Sequence, residues 1–172
     1  MDFFDAVQTR RSTRAFVAKP VEAEKLQTIL EAANRAPSAG NLQAYEIYLV
    51  TRRETLRALA AASLGQTFVA QAPVALAFCA HPKLSSRRYG HRGTSLYAIQ
   101  DATIACTHAH LAATALGLAS VWVGAFNDKA VREAIGTGED LLPVAILPIG
   151  YPGEKPEPTS RRSLASLVHR IE

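Results

Sequence analysis

Two cysteines, Cys79 and Cys106, both set in apolar runs, leave no material for a disulfide framework and read as buried thiols. The usual nucleotide-binding signatures are missing as well. No G-x-G-x-x-G turn follows a strand, since Gly136-Thr137-Gly138 has no third glycine at Leu141, and neither a Walker A sequence nor a G-x-S-x-G elbow occurs. His108 and His110 stand two apart, on different sides of a helix and not at the i, i+4 spacing of a paired metal site; they read as packed or hydrogen-bonded helix residues, and no metal is expected. No Cys/His/acid triad can be argued from the order of residues. Zinc-finger spacing and RNP-like aromatic motifs are absent, so a net charge of +4 is weak ground for a nucleic-acid partner, and none is expected. The opening Met1-Asp2-Phe3-Phe4-Asp5 carries two acids and no long apolar run, unlike a secretion signal, which makes the cytoplasm the expected location.

Long apolar runs are limited to one. Ser95–Leu116 has 22 residues without Gly or Pro, enough for a helix of roughly 33 Å. That length could cross a bilayer, but Gln100, Asp101, His108 and His110 would then sit where such groups are costly. A buried central helix is expected instead, with no membrane partner. Gly93-Thr94-Ser95 offers N-cap residues, Gly117 a C′ residue, and the many Ala and Thr suit close helix contact, a subunit interface included.

Around that helix the periodicity predicts a compact series of elements in one domain, residues 1–172. Asp2 caps a short helix through about Gln8 with Phe3, Phe4 and Val7 inward. Pro20 and two acids open a second helix with Leu26, Ile29, Leu30 and Ala33 on one face, ended by Pro37. Tyr45–Val50, Val74–Cys79, Ser120–Val123 and Leu142–Ile149 read as strands, the last with Pro143 and Pro148 at its ends or on an edge. Glu54–Leu64 and a segment capped by Asn127 read as helices, His81–Thr94 as a polar loop, the segment after Gly150 as an extended proline-rich tail, and Leu164, Leu167, Val168 and Ile171 as a final amphipathic turn. The sum is an α+β domain of about four strands with the long helix against the sheet.

Four stretches carry chemistry. Arg10-Arg11-Ser12-Thr13-Arg14 supplies the forked donors and hydroxyls that suit a phosphate, and equally makes a solvated basic loop. Pro37–Gln43 is turn chemistry with two amides, Asn41 and Gln43, that both donate and accept, as a heterocycle edge requires; an ordinary loop reads the same way. Val123-Gly124-Ala125 ends a strand on small residues where backbone N–H groups can approach a flat ring, or is simply a strand end beside Trp122. Arg161-Arg162 either returns to the phosphate or is an exposed basic pair.

In order and at suitable spacing, these stretches resemble the nitroreductase family of flavoproteins. Arg10-Arg11-Ser12-Thr13-Arg14-Ala15-Phe16 is similar to its R-x-S-x-R/K-x-F/Y opening, and Pro37-Ser38-Ala39-Gly40-Asn41-Leu42-Gln43 to its P-S-x-x-N-x-Q segment. Tyr97–Ala102 resembles the start of its long helix, Gly117–Phe126 the strand that follows, and Gly150-Tyr151-Pro152 its tail signature. The resemblance implies a central, mostly antiparallel sheet flanked by helices with one long buried central helix. It also implies an FMN-dependent oxidoreductase, a homodimer with flavin sites at the subunit interface, that takes hydride from NAD(P)H and reduces a nitro, quinone or related small acceptor by a ping-pong cycle. By that resemblance Arg10, Ser12 and one or both of Arg161 and Arg162 bind the phosphate and ribityl chain, with Arg11 and Arg14 near the phosphate or the polar ring edge. Pro37, Ser38, Asn41 and Gln43 contact the flavin, and Val123, Gly124 and Ala125 present backbone donors to its reactive nitrogen. Tyr89 is a substrate-pocket residue, and no protein acid or base is assigned. Ala44-Tyr45 stand where the family often has Pro-Trp, and the Glu that larger members carry beside the Gly124 position is absent, which is the pattern of a short subgroup. A flavin-binding sensor or carrier without turnover is the alternative that the short length and missing Glu allow.

Overall fold

The computed structural model describes residues 1–171. Its sheet is built on β2 (Val74–Ala80), a seven-residue run of VALAFCA in which every side chain is buried. A strand reads as continuously apolar when both faces are covered, and alternate residues then serve opposite layers. Val74, Leu76, Phe78 and Ala80 join the core beneath α2 (Ala23–Asn34) and α6 (Ala98–Ala115). Ala75 and Ala77 join Leu56, Leu59, Val69 and Val131 from α3 (Arg53–Ala62), α4 (Phe68–Gln71) and α7 (Asp128–Ile135). β2 pairs antiparallel with β1 (Tyr45–Val50) and with β4 (Leu142–Gly150), and β4 pairs antiparallel with β3 (Ala119–Ser120), so the order is β1-β2-β4-β3.

Local chemistry places the ends. The Asp2 carboxylate accepts from the Asp5 N–H at 2.8 Å to start α1 (Phe3–Thr9), and Asn127 Oδ1 accepts from the Ala130 N–H at 2.9 Å to start α7. Gly117 follows α6 at φ +74°, the left-handed residue expected there.

Several expectations are corrected. The stretch His81–Thr94 is not a loop: α5 (Pro82–Arg92) runs through a π-helical turn, Gly93–Tyr97, into α6 as one joined helix over 82–115. Pro82 pre-sets the first turn, and Gly90, at φ +54° and ψ −136°, is the single break that makes a polar, glycine-containing segment read as loop. Thr94 and Ser95 therefore do not cap the helix; their hydroxyls donate to the His91 carbonyl at 2.8 and 2.9 Å, as interior helix residues do.

Phe3, Phe4 and Val7 face outward, 64, 77 and 49% exposed, because α1 seats the small Ala6 against the body of the protein. Leu164, Leu167, Val168 and Ile171 are likewise exposed, with only a 3-10 turn at Leu164–Ser166. The strand expected over Ser120–Val123 is shorter, Ala119–Ser120, plus one isolated bridge from Val123 to Ile146.

Pro143 and Pro148 lie within β4, an interior strand. Pro143 sits where the register slips between Phe78 and Cys79. Ile146 exchanges both backbone bonds with Val123 on the β3 side, so Pro148, two residues on, turns its missing N–H toward the same sparsely paired side.

One buried charge ties the loop after α2 to the central helix. Asp101, 2% exposed in the first turn of α6, accepts from the Ala39 N–H at 2.9 Å with Oδ1 and from the Ala44 N–H at 3.3 Å with Oδ2. The carboxylate thus grips both ends of the turn between α2 and β1. Replacing Asp101 with Ala should orphan both N–H groups and lower unfolding free energy by about 2–4 kcal/mol, with Asn, which keeps one acceptor, losing about half of that. Denaturant unfolding of the two variants measures it, and a loss below about 0.5 kcal/mol would show that the turn holds itself.

Candidate flavin site

Arg10 to Arg14 leave α1 as an extended segment that lies along the sheet edge: Ser12 bridges Ser120 in parallel, and the Thr13 N–H donates to the Ser120 carbonyl at 3.2 Å. This places Arg10, Arg11, Ser12 and Arg14 on one side of a cleft of about 560 Å³ whose other wall is the returning tail, with Pro158, Thr159 and Arg161. Glu157 is the one carboxylate among the residues lining it. Among the described residues, none of these arginines forms an ion pair. Burial, with Arg161 and Arg11 nearby, makes the Arg10 guanidinium less readily charged than an ordinary arginine.

Arg10 Nη1 instead donates to His110 Nε2 at 3.4 Å, which makes that nitrogen the acceptor and places the ring proton on Nδ1. His110 is 6% exposed, and burial, with the Arg10 charge, lowers its pKa to about 4, so the ring is neutral at pH 7. A neutral acceptor holds the guanidinium without cancelling its charge. Arg11 is steadied by the Gln8 and Arg10 carbonyls, at 2.7 and 2.9 Å.

The Pro37–Gln43 turn is a second group of candidate residues. Gly40, Asn41 and Gln43 all have positive φ, at 58, 57 and 44°, an uncommon and strained state for the last two. Ser38 Oγ accepts from the Gln43 N–H at 3.0 Å and from its side-chain amide at 3.2 Å, while that amide also donates to the Asn41 carbonyl and to Asn41 Oδ1, both at 2.6 Å. The Gln43 carboxamide oxygen and the Asn41 amide nitrogen take no part in these bonds. At Gly40 a Cβ would collide with the Tyr89 hydroxyl and the Arg88 guanidinium, so this turn and α5 meet through the missing side chain.

At Val123-Gly124-Ala125 the structure narrows the expectation. Val123 is 2% exposed, and its N–H and carbonyl are both spent on Ile146 at 2.9 Å, so it offers no donor to a ligand. Gly124 and Ala125 are exposed, and Ala125 keeps its N–H while its carbonyl accepts from Gln66 at 3.2 Å. Arg162 turns away from the cleft and donates to the Ser166 carbonyl at 2.9 Å, leaving Arg161 as the tail's contribution.

No residue of the Pro37–Gln43 turn lines the arginine cleft of the same chain. Two organising residues carry no site role in the sequence, Asp101 behind the turn and His110 behind Arg10, although His110 is the packed, hydrogen-bonded helix residue expected; both are polar side chains in an alanine-rich helix, which is the signal that could have assigned them a role. Neither thiol is a nucleophile: burial pushes Cys79 up to about 12 and Cys106 well above its ordinary value. Among the described residues there is no group of three His, Cys, Asp or Glu side chains placed to hold a metal.

The profile described as the Nitroreductase family matches this chain over residues 7–71 and 62–151. A protein of Archaeoglobus fulgidus named putative NADH dehydrogenase/NAD(P)H nitroreductase is 34% identical over 153 residues, covering 87% of this chain and 84% of that one. FMN reductase [NAD(P)H] of Bacillus subtilis is 30% identical over 174 residues, covering 93% and 70%. The solved structure of NfrA2 from B. megaterium superposes with a TM-score of 0.90 at 29% identity, covering all of this chain and 75% of that one. The arginine segment, the turn, the long helix and the antiparallel sheet all lie within these matched residues, and the chain belongs to the nitroreductase family.

Proposed function

We propose that this protein is an FMN-dependent NAD(P)H oxidoreductase that reduces a nitro, quinone or related small acceptor, acting as a homodimer in the cytoplasm. The observation that carries the reading is the set of guanidiniums around the 560 Å³ cleft, held by carbonyls and a neutral imidazole, outnumbering the one lining carboxylate and in no ion pair among the described residues. Cations so arranged repel one another until an anion arrives, and a phosphate with Ser12 at hand fits that donor set. The names of relatives support the cofactor and the donor: FMN reductase [NAD(P)H] of Bacillus subtilis and oxygen-insensitive NADPH nitroreductase of Salmonella typhimurium.

FMN supplies the redox chemistry when bound, accepting hydride from NAD(P)H and passing two electrons to the acceptor. The chain's own residues bind and orient. Arg10, Arg11, Ser12 and Arg161 hold the phosphate end, and Arg14 lies beside them. Pro37 and Ser38 shape the turn that offers Asn41 and Gln43 to the polar ring edge. Gly124 and Ala125 offer backbone N–H groups.

A second copy of the chain would complete this arrangement in two ways. It would bring the turn of one subunit to the arginines of the other. It would also cover the apolar surface left open here: Phe3, Phe4 and Val7 on α1, and a hollow of about 310 Å³ walled by Ala32, Leu111 and Ala115.

The purified protein should show flavin absorbance that bleaches on anaerobic addition of NADH or NADPH and returns with a quinone; flavin bands that no donor bleaches would overturn the enzymatic reading. Arg10→Ala should weaken FMN binding by about 10–100-fold, as loss of a charge-assisted donor does, measured by flavin fluorescence on titration of apoprotein. His110 adds a pH dependence. Its folded pKa of about 4 lies below the unfolded value near 6.5, so the unfolded chain binds the proton first. Stability present above pH 6.5 should then fall by up to roughly 3 kcal/mol as pH drops toward 4. Denaturant unfolding of flavin-free protein between pH 7 and 4 measures this slope, which His110→Gln should flatten.

A further inference from the structure

The joined helix brings cations and rings together beside the Pro37–Gln43 turn. From Lys83 to Arg92 it carries Lys83, Arg87, Arg88 and Arg92 and no acid. Lys83 reaches Asp140 at 4.0 Å; among the described residues no carboxylate pairs with Arg87, Arg88 or Arg92. Two of these guanidiniums rest on aromatic rings. Arg88 lies 5.5 Å from the Tyr89 centroid and donates to the Gly40 carbonyl at 3.3 Å. Arg92 lies 5.3 Å from the Tyr97 centroid, and its Nε donates to the Tyr97 hydroxyl at 2.9 Å. Tyr89 and Tyr97 meet edge to face, centroids 5.1 Å apart at 85°. A guanidinium on a ring keeps its full charge, and the tyrosines keep the group in place at the π-helical turn.

We propose that Arg88 and Arg92, set on the Tyr89–Tyr97 pair, make this enzyme selective for aromatic acceptors that carry an anionic substituent, such as a carboxylate. The inference rests on the reading of the Pro37–Gln43 turn as the flavin-contacting loop, because Gly40 is where α5 touches it. Stacked guanidiniums draw an anion toward the helix, and the tyrosines give its ring an apolar surface.

The test compares 4-nitrobenzoate with its methyl ester, which keeps the ring and nitro group and removes the charge. Binding to FMN-loaded protein, without NAD(P)H, is followed by perturbation of the flavin absorbance. Wild-type protein should bind the acid at least tenfold tighter than the ester. In Arg88→Gln/Arg92→Gln the preference should fall below threefold with flavin content retained. Arg92→Gln alone, which leaves the Arg88–Gly40 bond in place, should cut it at least twofold and serves if the double variant does not fold. Equal affinities in the wild type, or a preference that survives these substitutions, would overturn the proposal. So would variants that change the NADPH-to-NADH ratio of kcat/KM and leave the acid-to-ester ratio alone, since the arginines would then read the donor's phosphate. A preparation that takes up no FMN overturns the flavin reading itself, and this inference with it.

Discussion

A buried carboxylate organises the middle of this molecule. Asp101 is buried at the start of the central helix and spends its two oxygens on backbone N–H groups from either end of the turn that follows α2. Burying a charge without such partners is costly, so the bond geometry is mutually enforced. The turn cannot drift without leaving the charge bare, and the helix cannot shift without releasing the turn. Within that grip Asn41 and Gln43 adopt left-handed backbone conformations that a free loop would rarely sample. Preorganisation of the proposed flavin edge is therefore a property of the core.

His110 serves the N-terminal segment as Asp101 serves the turn. It lies one helical turn beyond the buried Cys106, and its partner is not another helix residue but the guanidinium of Arg10. The long helix thus supports two candidate flavin-binding segments that are far apart in sequence, through one polar side chain for each. Its apolar residues meanwhile complete the core over β2 and β4.

Much of this is legible in the order of residues. Tyr45–Val50, with its aromatic and branched residues, is a strand over that span, and Asp2 and Asn127 cap where their side chains predict. The arginine segment and the turn stand out because their residue types are unusual in combination. What escapes a sequence reading depends on packing. Pro82–Arg92 is so polar that periodicity says little, and its helical state comes from joining α6. Phe3 and Phe4 read as inward because apolar residues usually are, yet only Ala6 is small enough for the close seat α1 takes. Val123 reads as a donor because strand ends often have free N–H groups, and only the pairing with Ile146 removes it. Arg161 and Arg162 are adjacent and chemically identical, so nothing short of the chain's path could separate the one that lines the cleft from the one that holds the terminal turn.

The bridge between Ser12 and Ser120 has a further effect. β3 has only two residues, and beyond it the sheet would end in unpaired backbone groups, the kind of border along which protein molecules associate strand to strand. The segment carrying Arg10, Arg11 and Arg14 occupies that border, and its charges repel a second strand as its backbone caps the first. The same residues that are proposed to hold a phosphate thereby also close the edge of the sheet, so removing this segment would bare that border and the proposed phosphate site together.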